Sequence, residues 1–382
     1  MRRTTRASAL EPVRLVGVVA TVVVAACSHT DGFVAAASLL GPATTGTDVR
    51  LTYNVDQDYW PTWTADGRGI LYAFVTLDAP IGHRCVGMLP PNGGTRLWQM
   101  CDNRTTQSDS VSSFTGFALD SAGRLLYAEA TSIGRFADIP DAYAIWLADT
   151  AHPFIRKKLL TLPIVSGGRP FNWISELKWT GPSTFTALLQ VYEPGRGDST
   201  FSNEGAIMTG TIDGDRATGQ VIAGTDSATD YALIDGGTAI AFTRRDDRRL
   251  LRVPIAGGTP TVIAQVRSDV SDSTVGQLVG LSCDASVCIV ATAPVALSYG
   301  GDLVRPEVAA HFVGAPQADL RVVSLSTGAV QIVDTDHAIL GTPMIAPGSR
   351  DVVVQRGGVW GHLQTFGNDR SSDLHLISGL LP

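Results

Sequence analysis

The chain has 382 residues, of which 44% are hydrophobic, 7% aromatic and 17% charged, with 40 Gly, 20 Pro and a mean hydropathy of +0.14. That balance excludes a disordered, collagen-like or coiled-coil chain. Its 29 basic residues include only three lysines (Lys157, Lys158 and Lys178) against 36 acidic residues, and the net charge of −7 leaves no basic face for phosphate backbones, so nucleic acid is not an expected partner.

The first 27 residues carry Arg2, Arg3, Arg6 and Arg14, then an apolar run over residues 15–26 interrupted only by Thr21, then Cys27. Such a segment is too short to serve as a lasting membrane span and reads as an export signal. Its end, Val24-Ala25-Ala26-Cys27, resembles the lipobox of bacterial lipoproteins. The resemblance implies cleavage before Cys27 and acylation of its thiol; an ordinary secretory signal cut after an A-x-A-like site is the plainer alternative. Removing residues 1–26 takes away four Arg and Glu11, so the exported body carries −7 − 3, or −10. Residues 28–47 are small and without period, and read as a tether whose r.m.s. span is roughly 25 Å. Acyl chains on Cys27 would make the anchoring stable, at about 0.8 kcal/mol per buried methylene. The expected location is the bacterial cell envelope, at the outer membrane if the host is Gram-negative, with the lipid as the only contact to the membrane. Four further cysteines, Cys85, Cys101, Cys283 and Cys288, fit disulfides in an oxidising compartment. Short separations favour Cys85 with Cys101 and Cys283 with Cys288, among three possible connectivities.

From residue 48 onward, short apolar runs alternate with turns rich in Gly, Asp, Ser and Pro, which predicts an all-β fold. Residues 61–74 read as a strand, an Asp66-Gly67 turn and a second strand, and variants recur at 117–127, 177–185, 231–242, 281–290 and 343–354. Each of the first five is followed by a second strand pair: 85–89 with 95–100, 142–147 with 158–162, 206–212 with 219–223, 250–254 with 259–263, and 320–325 with 329–333. Four strands per copy make the blade of a propeller. The sixth copy is followed by only one strand, 373–377, while the strand at 48–55 stands ahead of the first copy without a blade of its own. Pairing these two would close a ring of six antiparallel blades and cover both free edges. The expected organisation is a signal peptide over 1–26, lipidated cysteine and tether over 27–47, and a propeller over 48–382.

The first copy, Pro61-x-Trp63-x-x-Asp66-Gly67 with the apolar strand after it, resembles the repeat of TolB-type propellers. In the other copies Asp-Gly has become Ala122-Gly123, Gly181-Pro182, Gly236-Gly237, Asp284-Ala285 and Pro347-Gly348. The resemblance implies architecture more than activity.

No G-x-S-x-G elbow and no H-E-x-x-H helix occurs, so no catalytic and no metal-binding residue is assigned, and no cofactor is expected. An axial metal held by His83, His311 and His337 from different blades is the alternative, and would make the chain an envelope hydrolase or lyase. The acidic pairs Asp246-Asp247 and Asp213-Gly214-Asp215 read as solvated turns, and Arg196-Gly197-Asp198-Ser199 as a chance match to an adhesion tetrapeptide. Asp58, Tyr59, Trp60, Trp173, Tyr231, Asp336 and His337, with Asp230 in a comparable position, fall where the chain enters its inner strands, and those entries converge on the propeller axis. Polar and aromatic groups gathered there predict a binding face. The sequence therefore points to a monomeric, non-catalytic scaffold that binds an envelope protein or a glycan.

Overall fold

The computed structural model describes residues 34–35, 47–52, 58–76, 83–101, 110–133, 142–193, 200–201, 205–244, 247–267, 277–293, 319–334, 342–359 and 372–381. They form six four-stranded antiparallel sheets, the blades of a β-propeller. Blade 1 runs from the axis outward as Asp58–Trp63, Ile70–Thr76, His83–Leu89 and Trp98–Cys101, and blade 2 as Ser110–Leu119, Arg124–Ile133, Ala142–Asp149 and His152–Thr161. Blade 3 comprises Trp173–Gly181, Thr184–Gln190, Ala206–Asp213 and Arg216–Val221, and blade 4 Ala228–Ile234, Ala239–Arg244, Arg249–Pro254 and Thr261–Gln265. Blade 5 is built from Gln277–Cys283, Val287–Ala293, Asp319–Ser324 and Val330–Asp334. All five second strand pairs expected from the repeat are present.

Blade 6 joins the two ends of the chain. Met344–Ile345, Val352–Val359 and Ser372–Ser378 supply three positions, and Thr47–Arg50 adds the outermost strand antiparallel to the last of them, with Asp48 opposite Ile377 and Arg50 opposite His375. The Leu51 amide continues the ladder to the Leu374 carbonyl at 2.7 Å. Closure therefore uses the expected pairing, with the strand ending at Arg50 instead of residue 55. Val34–Ala35, inside the stretch expected to be a free tether, pairs with Gly358 and Val359, so those two residues lie on the blade. Cys27 falls outside the described residues.

Polar contacts hold the seam. Arg50 Nη2 makes an ion pair at 2.8 Å with Asp373, whose side chain is fully buried, and His375 Nδ1 lies 2.8 Å from Asp48 Oδ1. The Thr52 hydroxyl accepts from the Leu374 amide at 3.0 Å. Burial pushes the Asp373 carboxyl up, and the Arg50 guanidinium opposes that rise.

Between blades the core is apolar, with Ile70, Tyr72, Phe74, Tyr127, Phe185, Tyr231 and Phe242 among the fully buried side chains. Two tryptophans at equivalent repeat positions tie each blade to the one before it: Trp63 Nε1 donates to the Met344 carbonyl and Trp179 Nε1 to the Ala118 carbonyl, each at 3.1 Å. Tethering indole nitrogens this way satisfies a donor that burial would otherwise leave unpaired. Three of the hairpin turns share a carboxylate cap that the degenerate sequence conceals. In blade 1, Asp66 Oδ1 accepts from the Thr64 hydroxyl and the Arg68 amide, and Gly67 supplies a φ of +68°. In blade 2 the carboxylate has moved to Asp120, whose Oδ1 takes the amides of Ala122 and Arg124, with Gly123 at φ +82°. Blade 5 uses Asp284 for the amides of Ser286 and Val287. Disulfides join Cys85 to Cys101 across the outer strands of blade 1 and Cys283 to Cys288 across the first hairpin of blade 5.

Replacing Arg50 with Ala should lower stability by about 3 kcal/mol near neutral pH, the lower end for a broken buried pair because Arg50 is itself partly exposed. Without its counter-ion the Asp373 carboxyl rises further above its unfolded value. Stability held by the protonated form is present at low pH and lost as pH rises, so thermal melts should separate variant from wild type more at about pH 8 than at about pH 5.

Candidate functional site: an axial cavity framed by bulges

Each blade begins its inner strand at one rim and ends it at the hairpin turn on the other. Pairing of those inner strands is interrupted ahead of the hairpin in five blades. Between the partners Tyr59–Ala73 and Thr62–Leu71 the inner strand advances three residues while its neighbour advances two. The same single extra residue occurs between Phe114 and Phe117, Ile174 and Glu176, Ala228 and Asp230, and Leu278 and Gly280. A bulge bends its strand and re-aims a side chain. Here Trp60, Pro61, Gly116, Ser175 and Thr229, all within bulges, line a cavity of about 210 Å³ on the axis.

Trp60 sits in a left-handed conformation, φ +55°, which costs a bulky residue of order 1–3 kcal/mol. Its amide reaches Gln355 Oε1 of blade 6 at 3.4 Å, and its ring stands edge-on to Tyr59 with centroids 4.8 Å apart. It remains 46% exposed. Gly116, at φ +110°, lets blades 2 and 3 approach: a Cβ there would lie 3.3 Å from the backbone of Glu176. Across the cavity Trp173 is half-buried and stacks on Tyr143 at 5.1 Å.

The floor is charged but internally compensated. Lys178 Nζ donates to Glu176 Oε2 at 2.5 Å and to the Tyr231 carbonyl at 2.7 Å, and lies 4.3 Å from the Tyr231 ring centre. Asp230 is buried, and its two oxygens accept from the Tyr231 amide (2.6 Å), the Leu281 amide (2.9 Å) and the Thr342 hydroxyl (3.1 Å). It thus pins blade 4 to blades 5 and 6. Burial, then the neighbouring Glu176 carboxylate, push the Asp230 carboxyl well above the usual carboxylate range. Ser175 Oγ is buried in the cavity wall and has no hydrogen-bond partner among the described residues.

Of the residues expected on the binding face, Trp60 and Trp173 line the cavity. Tyr59 is half-buried beside Trp60. Asp58 and Tyr231 are fully buried, and the Tyr231 hydroxyl bonds Thr186 Oγ1 at 3.0 Å; both are core residues beneath the face and contribute no surface. Asp336 and His337 lie outside the described residues, as does His311, and of His83 only the backbone is described. Among the described residues no three His, Cys, Asp or Glu side chains come together as a metal site. Sequence reasoning missed Ser175, Glu176, Lys178 and Thr342. A glycine and a proline inside apolar strands, Gly116 and Pro61, were the available sign of bulges.

No protein-family model matches the sequence, and no curated protein matches it either. Solved structures do resemble it. The luciferin-regenerating enzyme superposes with a TM-score of 0.52 at 10% identity, covering 88% of this chain and 96% of its own. The endosialidase of phage phi92 superposes with a TM-score of 0.54 at 9% identity, covering 87% of this chain and 69% of its own. At such identities the likeness establishes the propeller fold alone.

The raised Asp230 carboxyl sets a pH test. A carboxyl whose folded value is raised contributes stability at low pH that is lost as pH rises through the folded value, with a slope approaching about 1.4 kcal/mol per pH unit for one proton. Between about pH 5 and pH 8, Asp230→Asn should flatten the decline in melting temperature expected of the wild type, even though the amide forfeits at least one of the three bonds. An unchanged slope would mean that Asp230 is ionised in the fold.

Proposed function

We propose that this chain is a lipid-anchored cell-envelope protein of TolB-like repeat type, whose propeller binds an envelope partner, protein or glycan, through the rim on which the inner strands begin. The carrying observation is the exposed, left-handed Trp60 at a cavity lined by bulge residues of four successive blades. Strain retained at an exposed aromatic is characteristic of ligand sites. Binding is favoured over catalysis because the ionisable groups on the floor are already committed: Asp230 to two backbone amides and Thr342, Lys178 to Glu176 and a carbonyl. The lipobox-like Val24-Ala25-Ala26-Cys27 supports the anchor, and the two disulfides suit an exported chain.

Two measurements test the reading. Cells fed labelled palmitate should label the wild type and not Cys27→Ala; an unlabelled wild type would remove the anchor. Immobilised propeller should retain material from the native envelope, Trp60→Ala should abolish retention, and Arg68→Ala on the opposite rim, where the side chain is exposed, should not. Loss on the Arg68 side alone would put the binding face on the wrong rim.

A further inference from the structure

Resting on the reading of the axial cavity as a binding site, we infer that its ligand is a neutral sugar residue, free or at the end of a glycan, stacked on the Trp60 indole and hydrogen-bonded to the wall at Ser175. Three observations converge on that class. The first is shape and size. A cavity of about 210 Å³ holds the volume of roughly seven liquid waters, the scale of one six-membered sugar ring and its substituents. The second is the arrangement of its walls. Trp60 offers a broad aromatic surface at the mouth, while Ser175, Gln190, Thr229 and Thr342 bring hydroxyl and amide groups to the same space. A ligand with one face of C–H groups and an equator of hydroxyls matches both at once, whereas a wholly apolar ligand would leave the Ser175 hydroxyl unpaired; the Thr229 and Thr342 hydroxyls already bond Thr243 and Asp230. The Ser175 hydroxyl makes this concrete: it belongs to a cavity-lining residue, is closed off from solvent and has no hydrogen-bond partner among the described residues, and it would gain one by turning toward a ligand hydroxyl.

The third observation is charge. Among the described residues, the ion pair on the cavity floor is already complete: Glu176 and Lys178 lie 2.5 Å apart, and the remaining Lys178 bond goes to a backbone carbonyl. A carboxylate or ammonium ligand would have to shed its hydration with no free counter-charge to meet it, or break that pair. A neutral polyol carries no such penalty. Discrimination against charged sugars therefore follows from the same residues that hold blades 3 and 4 together.

The test uses the mature chain and a defined set of probes: glucose, galactose and N-acetylglucosamine as neutral sugars, glucuronate and glucosamine as their charged counterparts. Tryptophan fluorescence and ligand-observed saturation-transfer NMR report binding. At least one neutral sugar should saturate, and its charged counterpart should bind about tenfold more weakly or worse. Trp60→Ala should weaken the neutral sugar by about tenfold, and Trp60→Phe should restore part of that loss, because a smaller ring still stacks. Ser175→Ala should weaken it severalfold with the melting temperature unchanged, since no intramolecular bond is lost. Three results would overturn the inference: no saturation by any neutral sugar at its solubility limit, charged sugars binding as tightly as neutral ones, or binding indifferent to both Trp60 and Ser175. If envelope material is still retained through Trp60 while no neutral sugar binds, the binding face stands and only the ligand class falls.

Discussion

Everything in this molecule depends on the antiparallel pairing of Thr47–Arg50 with Ser372–Ser378. Blades of a propeller bury their faces only against neighbours, so a ring left open exposes apolar surface on the first and last blades at once. Joining the chain's two ends within one sheet converts six marginal units into one closed core. The seam accordingly carries more than backbone bonds: the Arg50–Asp373 ion pair, the His375–Asp48 contact and the Thr52 cap lie along it. Buried polar groups of this kind add little net stability when satisfied, but they penalise misregistration heavily. A one-residue slip would move Asp373 away from Arg50 and turn Asp48 and Arg50 outward while bringing the exposed Val49 inward.

Closure also determines where the cavity is. Once six inner strands surround an axis, a regular strand would present its alternate side chains to the channel and fill it. One extra residue toward the entry of each of five inner strands interrupts that alternation, and four of these bulges border the cavity. The bulges bend the strand starts and make room, and the residues released from the ladder become the lining. The cost is local: backbone at Trp60 lies in a sparsely populated region, and position 116 tolerates only glycine. Below the bulges the polar floor replaces the missing packing with inter-blade bonds, Asp230 linking three blades and Lys178 bridging blades 3 and 4. Stability and ligand space are thus provided by the same ring of residues.

Much of the architecture was legible in the linear chain because a propeller repeats its physics. The Asp66-Gly67 hairpin, the equivalent Trp63 and Trp179, and the paired second strands all recur at a regular spacing, and each recurrence answers the same local requirement: a positive φ, a donor to satisfy, an apolar face to bury. Apparent decay of the turn was decay of sequence position only. Asp120 and Asp284 supply the carboxylate that Asp66 supplies, from a different place in the turn, because a side-chain acceptor two or three residues ahead of the free amides caps them equally well.

The sequence by itself determined the all-β class, the six copies and the closing strand, since each is written in spacing or alternation along the chain, and it favoured the two disulfide pairs that the fold then decided. It also marked Trp60 and Trp173 as aromatics near the axis. Only the tertiary structure decided that Asp58 and Tyr231 are core, that Val34–Ala35 rest on blade 6, and that Ser175, Glu176, Lys178 and Thr342 share one cavity with Asp230. The reason is geometric. A bulge shifts the in–out alternation by one residue, so the face to which a side chain turns cannot be read from its parity. Residues more than a hundred positions apart, such as Asp230 and Thr342, become neighbours only when the ring shuts and brings every blade to the same axis.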